Sequence, residues 1–406
     1  MAMLSYDQAR QKVIEVVGAS RRLPTRERVE IGQAYGRVLA ERVAADRDYP
    51  PFDRATRDGF ALRARDIAAH AGALEIIGEI KAGDTFAGSV GPGQCAQIMT
   101  GAAVPPGADA VVMIEHTRRA KTRVVIERPV EPGQNIVPRG SETRAGHVIL
   151  TPGTRLGYVE LALAAQVGHH RLSVFRRPTV AILSTGDEVV AVDETPGPFQ
   201  VRNSNSVSLA TLAALAGAEP AQLGNAPDRI AELRARVERG LEADILVLSG
   251  GVSMGKYDLV EVVLRELGAE FFFQGVAIRP GRPAVFGICR GKFVFGLPGN
   301  PVSTMVTFEL FVLPAVDILS GAEPRPLPFF RAKLAAPVRQ AAALTHFLPA
   351  RVDWPDREPV VRELPWQGSG DIVALAQANC FLVVPQAKLE LAAGEWVDVL
   401  PRRGIF

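Results

Sequence analysis

Asp244 to Gly255 reads DILVLSGGVSMG. Ile245 to Leu248, with Ala243 just before, form a short apolar run that ends at Ser249-Gly250-Gly251. An apolar run of this length stopping at glycines predicts a buried strand of a parallel sheet. The glycines let backbone amides approach a ligand with no Cβ in the way. Lys256-Tyr257-Asp258 then opens a helical pattern with Leu259, Val262, Val263 and Leu267 on one face. Strand, glycine turn and helix start is a common geometry for holding a phosphate, although many such turns carry two glycines for steric reasons alone.

Outward from this stretch, strands and helices alternate. TVAILSTGDEVV reads as strand and turn, Asn205 to Ala216 and Asp228 to Leu241 as helices. FFFQGVAIRPGRPAVFGI gives two short strands around a Pro-Gly turn, FVFGLPGNPVS is strand and turn, and Thr304 to Leu319 is helix. This alternation predicts an α/β domain over residues 178–324, a central three-layer α/β/α arrangement with a mostly parallel sheet. Ligands of such sheets sit at the carboxyl ends of the strands. Three strand ends carry distinctive turns: Ser184-Thr185-Gly186-Asp187-Glu188, Ser249-Gly250-Gly251-Val252-Ser253, and Leu297-Pro298-Gly299-Asn300-Pro301-Val302-Ser303. Their amides and hydroxyls are expected to line one groove for a phosphorylated ligand.

The flanks have a different texture. Ser5 and Gln8 form a capping box for a helix that stops at Gly18, and a second helix is expected from Thr25 to Val43. From Tyr49-Pro50-Pro51 the pattern turns to short strands with Gly and Pro: LEIIGEIKAGD, CAQIMTG, DAVVMIEHT and Val124 to Ile126. Tyr158 to Val167 is helical again. Helical segments on both sides make the β-rich region, residues 46–143, an insertion into a helical linker domain of residues 1–45 and 144–177. After Arg325 helix signals vanish; ARVDW, VVREL, CFLVVP and WVDVLP predict an all-β, barrel-like C-terminal domain over 325–406.

Composition narrows the function classes. The 406 residues are 47% hydrophobic and 22% charged, and 46 Lys+Arg against 44 Asp+Glu leave a formal charge of +2. That balance gives no reason to expect nucleic acid or an anionic membrane as partner. Three widely spaced cysteines, Cys95, Cys289 and Cys380, point to a reducing compartment. His169 and His170 are adjacent and so point apart in regular structure, which is poor metal-ligand spacing. MAMLSYDQARQK lacks the apolar core of a signal, and Val302 to Leu319 contains Glu309 and Asp317. A cytoplasmic protein is the expectation.

Several candidate residues have ordinary structural readings too. Asn300 is a fitting N-cap, Pro301 a fitting first helical residue, and Ser303 a capping side chain. Asp228 and Asp258 each sit where a helix dipole favours a carboxylate. Asp58-Gly59 and Thr100-Gly101 are turn chemistry on their face. Asp187 and Glu188 are less easily explained. Hard oxygen ligands beside phosphate-binding turns suggest Mg²⁺, which binds through one or two carboxylates plus phosphate oxygens. Arg279 and Arg282 flank Pro280-Gly281 and suit an oxyanion.

PPFDRATRDGFAL, IMTGAAVPPGADAVVMIEHT, STGDEVV, RNSNSVSL, SGGVSMGKYD, IRPGRP, GLPGNPVS and QGSGDIVALAQAN follow one another over nearly the whole chain. In that order they resemble the molybdopterin molybdenumtransferase family, MoeA in bacteria, which is similar to the E domain of gephyrin. The resemblance implies four domains and insertion of molybdenum from molybdate into adenylylated molybdopterin, with release of AMP. It implies a homodimer whose site joins the α/β domain to the partner's β domain, so that Asp58 and Thr100 face the groove from the other subunit. By matching position, Asp58, Thr100, Glu188, Asp228 and Asp258 are the catalytic candidates, and Asp187 and Glu188 the Mg²⁺ ligands. Ser184, Thr185, Gly186, Ser249, Gly250, Gly251, Ser253, Arg279, Arg282, Pro298, Gly299, Asn300, Pro301 and Ser303 are the ligand-binding candidates. A molybdopterin adenylyltransferase and molybdoenzyme chaperones are expected partners. Lys256, Arg57, Gly275 and Glu142 depart from the family's usual residues, and Arg279 and Arg282 stand where lysines are frequent. Two other readings share features of the chain: a molybdopterin adenylyltransferase, which has the same central domain and lacks the other three, and a non-catalytic gephyrin-like scaffold.

Overall fold

A computed structural model of the chain describes residues 3–20, 24–251, 259–340 and 343–405. It is a multidomain α/β protein that divides into two compact units. One holds residues 41–152 and 157–172; the other holds 1–40, 153–156 and 173–406.

In the larger unit, helix α1 (Tyr6–Ala19) starts at the expected capping box: Gln8 N–H donates to Ser5 Oγ, and the Gln8 side chain accepts from the Ser5 N–H. In the smaller unit, β1 (Gly59–Leu62), β2 (Ala73–Ile80), β3 (Gln94–Ile98), β4 (Ala110–Met113), β5 (Thr117–Ala120) and β6 (Arg123–Ile126) form one mixed sheet, ordered β4-β1-β3-β2-β6-β5. Alternation puts Phe60 and Leu62 into one apolar cluster and Ala61 into another, so both faces are covered. Helix α2 (Tyr158–Gln166) belongs to the same unit.

The larger unit is built on a second six-stranded mixed sheet. Its strands are β7 (Thr179–Thr185), β8 (Glu219–Ala226), β9 (Ile245–Ser249), β10 (Glu270–Gln274), β11 (Val285–Cys289) and β12 (Lys292–Leu297), ordered β8-β7-β9-β12-β11-β10. The first four are parallel; at the far edge β11 is antiparallel to β12, and β10 antiparallel to β11. Strand period sends Val180, Ile182, Ile245, Val247 and Phe295 to one side, against α1, α3 (Ser204–Ala216) and the apolar segment 301–319. Ala181, Leu183, Leu246 and Leu248 go to the other side, against α4 (Ile230–Gly240) and α5 (Leu259–Glu266).

Segment 301–319 is α6 (Pro301–Thr307), a π-helical turn (Phe308–Val312) and α7 (Leu313–Leu319). By length and composition it qualifies to cross a membrane, but 78% of it is buried inside the fold. Pro314 has no N–H to offer the Leu310 carbonyl four residues earlier. Arg10 of α1 reaches that carbonyl instead, Nη1 to O at 3.0 Å. Glu309, in the π-turn, takes a forked pair from Arg403 at 2.8 and 2.9 Å.

The C-terminal region is a closed barrel of β13 (Phe330–Leu334), β14 (Thr345–Asp353), β15 (Val360–Glu363), β16 (Cys380–Val384) and β17 (Trp396–Pro401). Nine-residue β14 pairs with both β15 and β16 and closes the ring, which leaves no free sheet edge.

Three expectations need correction, and one strand lies where none was expected. The helix expected from Thr25 to Val43 is absent: Arg26–Glu30 is a strand and Ile31–Gln33 a 3₁₀ turn. Glycines at 32 and 36 break the run, and Gly36 takes φ +72. On α5 the buried residues are Val260, Val263 and Leu264, whereas Val262 is 44% exposed. β8, EPAQLGNA, went unread because an edge strand this polar has no apolar alternation. Helix signals do not vanish after Arg325: α8 (Ile372–Gln377) lies within the barrel region, its Asp371 cap accepting from Ala374 N–H.

Asp317, fully buried, holds the helical side together. It accepts from Arg155 at 2.9 Å and from Arg325 at 2.6 and 3.1 Å. Removing it strands two guanidinium groups in a low-dielectric site. Asp317→Ala is expected to lower the unfolding free energy by about 3–5 kcal/mol in urea denaturation. A loss below about 1 kcal/mol, the range of an exposed pair, would contradict this reading.

Candidate functional site

A cleft of about 880 Å³ opens at the carboxyl ends of β7, β9 and β12. The three ends are level, because the parallel register aligns Ser184 with Ser249 and Ser249 with Leu297. All three expected turns therefore contribute. Ser184, Thr185, Gly186 and Glu188 line the cleft from the first, Ser249, Gly250 and Gly251 from the second, and Pro298, Gly299, Asn300 and Pro301 from the third.

The second turn needs its glycines. Gly250 and Gly251 have φ +91 and +61, and a Cβ on them would sit 2.9 Å from Thr185 O and 2.7 Å from Thr185 Oγ1 respectively. In the third turn Asn300 is the N-cap of α6, but its side chain makes no capping bond. Its amide donates instead to Ser369 Oγ at 2.8 Å, and Val302 N–H donates to Ser369 O at 3.0 Å. These bonds bring Gly370 and Ile372 into the cleft wall.

Two residues outside the expected set tie the strand ends together. Asn203 Oδ1 accepts from Ser184 Oγ at 2.9 Å while capping α3 through Ser206 N–H. Asn205 donates its amide to Ser249 Oγ at 2.8 Å and to Gly299 O at 2.7 Å. Both line the cleft and both are buried. They belong to RNSNSVSL, where Asn and Ser at a helix start read as caps. The signal was present, and its second use needed the neighbouring strands to be seen. The floor also contains two buried polar atoms with no partner among the described residues, Thr185 Oγ1 and Asn205 Oδ1. A buried group in that state costs roughly 1–3 kcal/mol, which fits a surface that a polar ligand completes.

Acids occupy one wall. Glu188 and Asp228 line the cleft; Asp187 accepts from Asp228 N–H at 3.1 Å without lining it. The Asp228 carboxyl is raised above its usual range, first by partial burial, then by the negative charges of Asp187 and Glu188. Among the described residues no cluster of three or more His, Cys, Asp or Glu forms a ready-made metal site. Mutually repelling carboxylates with hard oxygens nevertheless suit a cation such as Mg²⁺ that takes one or two carboxylates and completes its shell from water and phosphate.

The remaining candidates are elsewhere. Arg279 and Arg282 are exposed and do not line the cleft; Pro283 does. Ser303 is buried in α6, its carbonyl accepting from Thr307 Oγ1, and does not line the cleft. Ser253 and Asp258 lie outside the described residues. In the smaller unit Asp58 accepts from Thr100 N–H at 2.6 Å and Thr100 Oγ1 at 2.7 Å, and the backbone bond first, then the hydroxyl, lowers its pKa.

Residues 4–168 match the MoeA N-terminal region (domain I and II), 181–317 a probable molybdopterin binding domain, and 331–401 the MoeA C-terminal region (domain IV). A molybdopterin molybdenumtransferase of Bacillus subtilis is 35% identical over 383 residues, covering 92% of this chain and 89% of that one. The chain belongs to the molybdopterin molybdenumtransferase family. A Staphylococcus epidermidis molybdopterin molybdenumtransferase is 33% identical over 92% of this chain and 90% of its own. Among solved structures, a molybdopterin biosynthesis MoeA protein from Pyrococcus horikoshii superposes with TM-score 0.75 at 34% identity, covering 97% of this chain and 98% of that one. The cleft lies within the part matched by the molybdopterin binding domain, save for Gly370 and Ile372.

Two expectations test the cleft. Thr185→Val replaces an unpartnered hydroxyl by a methyl of like shape. It is expected to leave the thermal midpoint equal or higher while weakening ligand binding; a drop of more than about 1 kcal/mol in stability would show the hydroxyl already satisfied. Asp228 binds its proton more tightly folded than unfolded, so its ionisation costs stability as pH rises from the ordinary carboxylate value through the raised one. Asp228→Asn is therefore expected to raise the thermal midpoint at pH 7 and to lose that gain at pH 3, below both values. An equal gain at both pH values would exclude the charge term.

Proposed function

We propose that the chain inserts molybdenum from molybdate into adenylylated molybdopterin and releases AMP, in the last step of molybdenum cofactor biosynthesis. Family membership makes it a transferase of that biosynthesis. The observation that carries the specific reaction is the cleft itself: three aligned strand ends, with glycine-opened amides and unpartnered polar atoms on the floor and carboxylates on one wall.

In this reading Ser249, Gly250, Gly251 and the Pro298–Pro301 turn hold the phosphate and pterin through backbone amides and hydroxyls. Molybdate is a substrate, and the soft dithiolene sulfurs of the pterin take its metal. Asp187 and Glu188, with Asp228 beside them, would hold Mg²⁺, which when bound neutralises charge on the phosphate oxygens. Thr185 Oγ1 and Asn205 Oδ1, which find no partner among the described residues, orient the ligand. Ser303, Arg279 and Arg282 do not line the cleft and are given no part in it, and Ser253 and Asp258 lie outside the described residues.

The proposal extends to organisation. The larger unit's mixed sheet is read as a three-layer α/β/α domain over 178–324, followed by the barrel domain over 325–406. Residues 46–143 form an inserted β-rich domain in a helical linker of 1–45 and 144–177. Two chains form a homodimer in the cytoplasm, and Asp58 and Thr100 complete the partner's site. The molybdopterin adenylyltransferase supplies the substrate, and molybdoenzyme chaperones receive the product.

Glu188→Gln keeps the side chain's size and removes its charge. It is expected to fold normally by circular dichroism and to lose Mg²⁺-dependent AMP release from adenylylated molybdopterin. Full activity in that variant would refute the metal role. If the site is shared between chains, mixing inactive Asp58→Ala with inactive Glu188→Ala restores activity in the heterodimers that carry one intact site; no recovery in verified heterodimers would refute the sharing.

A further inference from the structure

We propose that Arg202 is the oxyanion-binding side chain of the cleft and takes the phosphate of the nucleotidylated ligand. The inference rests on the reading of the cleft as the site for adenylylated molybdopterin. Sequence pattern directs attention to Arg279 and Arg282, but both are exposed side chains that do not line the cleft. Among the described residues that do, Arg202 is the single Lys or Arg.

Its placement is built in. Residues Val201–Arg202 form a short strand paired in parallel with Val189–Val190. Val201 N–H donates to Glu188 O at 2.8 Å and Asn203 N–H to Val190 O at 2.9 Å, so the backbone is fixed on both sides of Arg202. Glu188 directly precedes the paired Val189 and accepts from Val201 N–H, so cation and acid are carried by the same short ladder. The guanidinium is pinned at one edge, Nε donating to Glu194 O at 3.0 Å. Among the described residues Nη1 and Nη2 make no hydrogen bond or ion pair. A guanidinium held at Nε with its other donors free is an oriented fork, the geometry that takes two oxygens of a phosphate.

Electrostatics give the residue its use. Glu188 and Asp228 line the same cleft and put two carboxylates on one wall. An anionic ligand meets these acids on entry, and among the described residues Arg202 is the one lining side chain of opposite sign. Because Arg202 is solvent-exposed, its pull is salt-sensitive.

The test uses AMP as probe, the full chain, and calorimetric titration at about 50 and about 300 mM salt. Arg202→Ala is expected to weaken AMP binding about tenfold at low salt and to flatten its salt dependence. Arg202→Lys, which keeps charge without the fork, recovers part of the loss. The double variant Arg279→Ala, Arg282→Ala stays within about twofold of wild type. Unchanged thermal midpoints show that folding is not the cause. AMP binding by Arg202→Ala equal to wild type, or an equal loss in the double variant, would overturn the proposal. If wild type releases AMP from adenylylated molybdopterin and Arg202→Ala does so with the same KM, the function stands and the Arg202 role fails. If wild type neither binds AMP nor releases it, both fail.

Discussion

The carboxamide of Asn205 joins two strand ends that sequence separates by nearly fifty residues. Gly299 O can only accept, so the group 2.7 Å from it is the amide NH₂, which also reaches Ser249 Oγ. Two residues earlier Asn203 takes the hydroxyl of Ser184. The start of one helix thus fastens the ends of β7, β9 and β12 in a common plane, and every candidate ligand contact in the cleft hangs on that alignment. The geometry also leaves Oδ1 of Asn205 facing no donor among the described residues. A fold that aligns its strand ends this way accepts an unsatisfied floor as a consequence, and a ligand with donors relieves it.

The surroundings make the alignment rigid. Apolar residues cover both faces of the sheet, and the helical side is locked by charges that sequence distance hides. Arg10 serves a carbonyl that Pro314 leaves open, and Asp317 gathers Arg155 and Arg325. The barrel then closes on itself and supplies Ser369, whose hydroxyl and carbonyl hold the Asn300 turn. A loop from the C-terminal region is in this way part of the cleft wall, although its sequence, QGSGDIV, carries no side chain that chemistry alone would single out.

Strong local signals were the legible ones. Apolar runs ending at Gly250-Gly251 and at Pro298-Gly299 located strands and cleft together, because sterics there leave few alternatives to glycine. The carboxylates Glu188 and Asp228 were legible through their position after a strand and before a helix. Asn203 and Asn205 were not, since a polar residue at a helix start satisfies the capping pattern whether or not it also reaches a neighbouring strand. Arg279 and Arg282 were singled out by charge beside a Pro-Gly turn, and charge alone does not say which way a side chain faces; Arg202 opens RNSNSVSL, just ahead of the expected helix, where nothing beside it marks a ligand. The polar edge strand Glu219–Ala226 and the glycine-broken segment after Thr25 show the same limit: pattern reads burial, and these residues are barely buried.

Hydrogen–deuterium exchange with and without adenylylated molybdopterin tests the central claim most directly, since it reports where backbone amides become protected. Ligand binding at the aligned strand ends predicts added protection in peptides spanning 184–188, 202–205, 249–251 and 298–302, together with 369–372 from the barrel region. Protection confined to other segments, with these five unchanged at saturating ligand, would contradict it.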